Sequence, residues 1–138
     1  MCVYTLKHII DFYNSQSSPL YICFMDASKA FDRINHKLLF QKLLERDVPN
    51  IIVRLLSRWY SSQQYLVKWG NILSSSFNVT NGVRQGGILS PILYNIYVDS
   101  LSKQLTNLQI GCHINSVCMN HLMYADDTVL IAPSPRAL

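Results

Sequence analysis

His121-Leu122-Met123-Tyr124-Ala125-Asp126-Asp127-Thr128-Val129-Leu130-Ile131-Ala132 sets two adjacent carboxylates between two apolar runs. His121–Tyr124 and Thr128–Ala132 are rich in strand formers, and Ala125-Asp126-Asp127 joins them, so the spacing predicts a β-hairpin with acids at its tip. Acids are scarce here: the 138 residues carry 8 Asp and Glu against 12 Lys and Arg. A third acid, Asp26, ends the apolar run Leu20–Met25, which reads as a buried strand. Carboxylates gathered in a dry site repel one another and lose hydration, so one protonates unless a counter-charge arrives. A hard divalent cation meets that need, and Mg²⁺ is typically held by a few carboxylates plus substrate phosphates. Two such ions roughly 3.5–4 Å apart activate an attacking hydroxyl and stabilise a leaving pyrophosphate. Asp also favours turns for its own sake, so an isolated Asp-Asp would read as a polar turn.

Working outward, Val3–Tyr13 places Val3, Leu6, Ile9, Ile10 and Tyr13 at helical spacing. Asn35 is a candidate cap for a helix to about Arg46 with Leu38, Leu39, Leu43 and Leu44 inward, and Pro49 starts another with Ile52, Leu55, Leu56 and Trp59 inward. Gln64–Trp69 and Ser76–Thr80 read as hairpin arms around Gly70–Asn71. A loop, Asn81–Gly87, leads to Ser90 as cap and Pro91 at the first helical position of a helix to about Leu105, with Leu93, Ile96, Tyr97, Leu101 and Leu105 inward.

Composition supports a folded chain: 49% hydrophobic and 11% aromatic residues suffice for a core. Only 14% of residues are charged, which leaves a thin polar surface and suggests faces meant to be covered. The longest apolar run, Leu20–Met25, is far short of the ~20 residues that span a bilayer, and with Lys7, His8 and Asp11 among them the opening residues are not expected to act as a secretory leader. The net charge of +4 is uneven: residues 29–84 hold nine cations and three acids, while each flank is −1. A basic middle suits a polyanion, and solvated helix faces produce the same distribution. Cys2, Cys23, Cys112 and Cys118 form no CxxC pair and read as reduced thiols. Cys112, His113, Cys118 and His121 cluster, but their spacing fits no zinc knuckle or finger.

Three stretches carry a family resemblance. Tyr124-Ala125-Asp126-Asp127 resembles the Tyr-x-Asp-Asp box of reverse transcriptases, and Phe24-Met25-Asp26-Ala27-Ser28-Lys29-Ala30-Phe31-Asp32 their first aspartate motif. Gly82-Val83-Arg84-Gln85-Gly86-Gly87-Ile88-Leu89-Ser90-Pro91 is similar to the loop-to-helix motif that shapes their template and nucleotide pocket. The three occur in the family's order, and the intervening text resembles non-LTR (LINE-type) retrotransposon polymerases over essentially the whole chain.

The resemblance implies an α+β fold: a palm-like antiparallel sheet, with Leu20–Asp26 beside the acid hairpin, backed by helices and joined by part of the fingers. It implies RNA-templated addition of deoxynucleoside triphosphates to a DNA primer, with two Mg²⁺ ions, or Mn²⁺ in their place, as cofactors. Asp26 and Asp126 match the metal-holding aspartates, with Asp127 either a third ligand or a brace for the hairpin. Ala27, Phe31, Gln85 and Gly86 match nucleotide-binding positions, Phe31 being the bulky residue that excludes a 2′-hydroxyl and so speaks against an RNA-directed RNA polymerase. Tyr124, Ala125 and Arg84 fall on the primer and template side.

On the same grounds residues 1–138 are expected to form a partial reverse transcriptase domain without thumb or endonuclease, inactive alone and prone to aggregate. No membrane association is expected, and the family implies an intracellular, nuclear setting. Two other classes share these boxes: a catalytically dead retroelement remnant, and an RNA-binding module that keeps the palm as scaffold.

Overall fold

The computed structural model describes residues 2–138; Met1, the first residue of the expected domain, lies outside them. The chain runs α1 (Cys2–Ser15), β1 (Tyr21–Asp26), a single 3₁₀ turn (Phe31–Arg33), α2 (His36–Leu44) and α3 (Asn50–Ser61). Four short strands follow, β2 (Gln64–Tyr65), β3 (Lys68–Trp69), β4 (Ile72–Leu73) and β5 (Phe77–Asn78). Then come α4 (Ser90–Leu108), β6 (Cys112–Ile114), β7 (Val117–Met119), β8 (His121–Tyr124) and β9 (Asp127–Ala132). All strand pairing is antiparallel. The chain divides into two compact units: Lys29–Tyr97, and the remainder to either side, so α4 contributes its first turns to one and its last turns to the other.

In the unit of the two chain ends, a three-stranded sheet has the order β1-β9-β8. β9 is central because it continues the hairpin from β8 and offers its other edge to β1, from Asp26↔Asp127 to Tyr21↔Ala132. Side chains alternate across a strand, so Ile22, Phe24, Asp26, Leu122, Tyr124, Asp127, Val129 and Ile131 share one face. α1 covers the middle of that face: Ile9, Ile131 and Cys112 are buried together, with Leu6, Tyr13, Leu122 and Val129 around them. The last turns of α4 lie on the opposite face, where Leu105 and Leu108 share a cavity wall with Leu130. The β6–β7 hairpin was not read from the sequence; it buries Cys112 and leaves His113 exposed.

β1 is not the buried strand the sequence suggested. Phe24 is 71% exposed and Met25 43%, because β1 is an edge strand and both side chains line an open groove beside the start of α1.

In the unit Lys29–Tyr97, Asn35 caps α2 as expected, its side chain accepting from the Leu38 amide at 3.1 Å. The inward stripes differ from expectation. α2 buries Leu39 and Leu43 but exposes Leu38 and Leu44; α3 buries Val53, Leu56 and Tyr60 and exposes Ile52, Leu55 and Trp59. Each helix carries two apolar stripes, and only one finds a partner within the unit. The ribbon 64–78 is broken into two paired segments, β2 with β5 and β3 with β4, turning at Gly70 with φ +59°. α4 is longer than expected and buries Ser90, Leu93 and Tyr94, with Leu101 outward. Ser90 is no cap either: its hydroxyl donates back to the Arg84 carbonyl, pinning the preceding loop.

Candidate active site

The three acids meet at one end of the β1-β9-β8 sheet. β9 begins at Asp127, so the hairpin turn is Ala125-Asp126 alone, and Ala125 takes φ +52° to close it. Register puts Asp127 directly across from Asp26, with Tyr124 on its other side, and all three point to the same face. The acid opposite Asp26 is therefore Asp127, while Asp126 sits in the turn beside it. Asp26 and Asp127 are exposed and Asp126 half-buried; among the described residues none has a recorded ion pair. Asp26 and Asp127, but not Asp126, line a groove of about 470 Å³ whose walls also include Phe24, Tyr124, Val3 and Leu6. Ala27 follows Asp26 at the exposed end of β1.

Among the described residues no three or more His, Cys, Asp and Glu side chains are placed to hold one metal ion together. Asp26 and Asp127, paired across the strands and both exposed, are the two carboxylates the register brings together, and two are enough for a cation of the kind that keeps water in its shell. Mg²⁺ of this class takes only one or two carboxylates and completes its shell with water and substrate phosphates.

The remaining expected site residues belong to the unit Lys29–Tyr97. Phe31 lies in the 3₁₀ turn, half-buried, stacked on buried Tyr94 of α4 with ring centroids 4.7 Å apart. The Gln85 amide donates to Asp32 at 3.1 Å, joining the Arg84–Gly87 loop to that turn. Val83 donates to the Phe31 carbonyl at 2.8 Å, and His36 Nε2 donates to the Gly82 carbonyl at 2.6 Å. A Cβ on Gly82 would come within 2.8 Å of the Asp32 backbone, and φ there is +89°. Gly86 has φ +78° but nothing within 4 Å of where a Cβ would sit, so its backbone forms a bare, open wall. Arg84 is exposed.

Sequence reasoning missed the supports. Asp32 stood in a quoted motif and Tyr94 at helical spacing from Tyr97, but only the fold shows their contacts with Gln85 and Phe31. It also missed the knot where the hairpin meets α4. The Asn120 amide donates to the Leu105 carbonyl at 2.5 Å, and its oxygen accepts from His121 Nδ1 at 2.7 Å. His121 Nε2 then accepts from the Ser102 hydroxyl at 2.7 Å, and burial lowers the His121 pKa. Cys112 and Tyr13 are raised by burial above their ordinary values, in keeping with inert, neutral core groups.

Strand-end acids across a hairpin and a pinned loop running into a helix define a class, and comparison with known proteins agrees. Residues 3–138 match the family described as reverse transcriptase (RNA-dependent DNA polymerase), and the chain belongs to that family. More particularly, it is similar to proteins of non-LTR retrotransposons. It is 32% identical over 118 residues to the Retrovirus-related Pol polyprotein from type-2 retrotransposable element R2DM of Drosophila melanogaster, covering 86% of this chain and 11% of that protein. It is 31% identical over 134 residues to the Transposon TX1 uncharacterized 149 kDa protein of Xenopus laevis, covering 94% of this chain and 10% of the other. With the RNA-directed DNA polymerase from mobile element jockey of Drosophila funebris the identity is 30% over 112 residues, 81% of this chain and 12% of that one. The chain thus spans about a tenth of the length of these relatives.

Proposed function

We propose that this chain is the nucleotidyl-transfer core of an RNA-directed DNA polymerase, a palm-like sheet with part of the fingers. An RNA template, a DNA primer and deoxynucleoside triphosphates are its partners. The observation that carries the reading is the cross-strand pair Asp26 and Asp127, exposed at a sheet end with Asp126 in the adjoining turn. In the reaction the primer 3′-oxygen bonds to the α-phosphorus and pyrophosphate leaves. Asp26, Asp126 and Asp127 would hold Mg²⁺, or Mn²⁺, which lowers the pKa of the attacking hydroxyl and offsets charge on the leaving group. The remainder of the catalysis is positioning. Ala27, Phe31, Gln85 and Gly86 contact the nucleotide, Phe31 by excluding a 2′-hydroxyl. Tyr124 and Ala125 face the primer end, Ala125 being small enough for close approach, and Arg84 meets template phosphate.

RNA-templated primer extension tests this, run with the chain and with longer polypeptides that contain it. Asp26→Asn and Asp126→Asn should each lower extension by several orders of magnitude, every tenfold being about 1.4 kcal/mol of barrier. Asp127→Asn should fall in the same range, given its place opposite Asp26. Extension at the parent rate by either of the first two variants would remove the assignment.

A further inference from the structure

Two residues outside the three motif stretches, His36 of α2 and Tyr60 of α3, reach both ends of the loop Gly82–Ser90 within the unit Lys29–Tyr97. At the first end the Gly82–Val83 peptide is engaged on both sides. Its N–H, on Val83, donates to the Phe31 carbonyl at 2.8 Å, and its oxygen, on Gly82, accepts from His36 Nε2 at 2.6 Å. Such a peptide cannot turn about its flanking bonds without giving up a hydrogen bond. At the second end the hydroxyl of buried Tyr60 reaches the Ser90 hydroxyl and the Arg84 backbone. The two anchors form one assembly, because the His36 and Tyr60 rings meet edge to face with centroids 5.0 Å apart. Gly82, Val83 and Ser90 are buried at the anchored ends, while Arg84, Gln85 and Gly86 stand exposed between them.

We propose that His36 and Tyr60 are positioning residues for the incoming deoxynucleoside triphosphate, holding Gln85 and Gly86 in place, His36 through the Gly82 carbonyl and Tyr60 through Ser90 and Arg84. The inference rests on the nucleotide-binding reading of Gln85 and Gly86 above and extends it to two side chains that act only through the loop. The chemistry accounts for an imidazole at position 36. His36 packs with Phe40 and Tyr60, but a phenyl ring there would offer no donor to the Gly82 carbonyl. A buried carbonyl left without a donor is unfavourable, so an apolar residue at 36 would favour turning of the Gly82–Val83 peptide. Glycines at 82 and 86 make such a turn easy, because glycine accepts either sign of φ. The anchor therefore supplies the rigidity that the loop's own residues lack.

Two measurements separate the anchor from its consequence. In the chain itself, hydrogen exchange at the Val83 amide reads the Gly82–Val83 peptide directly. His36→Leu should speed that exchange ~10-fold, while His36→Gln, whose side-chain amide can donate in place of Nε2, should stay within ~3-fold of the parent. In a longer polypeptide that contains this chain and extends primers, His36→Leu should raise the deoxynucleotide KM ~10-fold and Tyr60→Phe ~3-fold, with His36→Gln near the parent. Val53→Ala, which removes volume from the buried side of α3, is the control for stability alone. Loss of folded protein lowers apparent kcat and leaves KM where it was, so this control should not reproduce the KM effect. Parent-like exchange in His36→Leu overturns the anchor. Faster exchange with an unchanged KM overturns its part in nucleotide positioning and leaves the functional reading intact. Equal KM values for His36→Gln and His36→Leu overturn the role of the donor. Parent polypeptides that extend no primer overturn the functional reading and this inference with it.

Discussion

Gly82 and Gly86 stand four positions apart with similar positive φ, yet they answer to different constraints. At Gly82 a methyl group would meet the Asp32 backbone at 2.8 Å, so Gly82→Ala adds collision to conformational strain and should cost more than about 2 kcal/mol in urea unfolding. Gly86→Ala meets nothing within 4 Å and should cost only the strain of a left-handed alanine, about 1–2 kcal/mol. If the bare Gly86 wall faces a nucleotide, that milder variant should be the more harmful of the two to RNA binding per unit of stability lost. Phe31 poses a comparable separation. Its stack on Tyr94 makes it a structural aromatic as well as a candidate sugar gate. Phe31→Ala should destabilise by about 1–3 kcal/mol and, in any extension-competent polypeptide carrying this chain, raise ribonucleotide incorporation. Tyr94→Leu should reproduce the loss of stability with a smaller change in sugar choice, and equal effects in both would reduce Phe31 to packing.

The hairpin and α4 are held together by Asn120, His121 and Ser102, which gives their union a pH dependence. Burial lowers the folded-state pKa of His121 below its ordinary 6.5, so between the two values the unfolded chain binds more protons. The resulting stabilisation is complete above the ordinary value and is lost as pH falls through the folded one. Thermal midpoints should therefore drop on acidification below about pH 6.5, and His121→Gln should flatten that part of the profile. At this scale most elements were legible beforehand: the acid hairpin from its alternating runs, α2 from Asn35, the ribbon from Gly70–Asn71. Which stripe each helix buries was not. α2 and α3 each present two apolar faces, and periodicity alone ranks Trp59 and Leu55 with Val53 and Tyr60. The acids were visible because carboxylates are rare beside apolar strands. The bounds of the turn were not legible: Ala125-Asp126-Asp127 was expected as the link, whereas Asp127 already belongs to β9, opposite Asp26, and Asp126 stays in the turn.

Across the whole molecule, charge divides along the structural boundary: net +6 in Lys29–Tyr97 and net −2 in the unit with the acids. RNA association should depend strongly on salt, falling about 50-fold between roughly 50 and 200 mM if about four phosphates are neutralised. A flat salt response would exclude the basic unit as the contact. The same molecule exposes Trp69, Ile72, Val3 and Ile88, each more than two-thirds accessible, so it should bind a hydrophobic dye at neutral pH. No helix among the described residues is long and apolar enough to cross a membrane. One arrangement also sets a clock. β9 alone in its sheet is hydrogen-bonded along both edges, and it lies between α1 and the end of α4. Its amides from Val129 to Ile131 should take up deuterium last, after those of β1 and of the short ribbon strands. Asp127 heads β9 two residues before that slowest segment, while its partner Asp26 ends the edge strand β1, so the carboxylate pair should part and re-form with the fraying of β1 while the β8–β9 hairpin stays closed, a brief opening that leaves the fold standing.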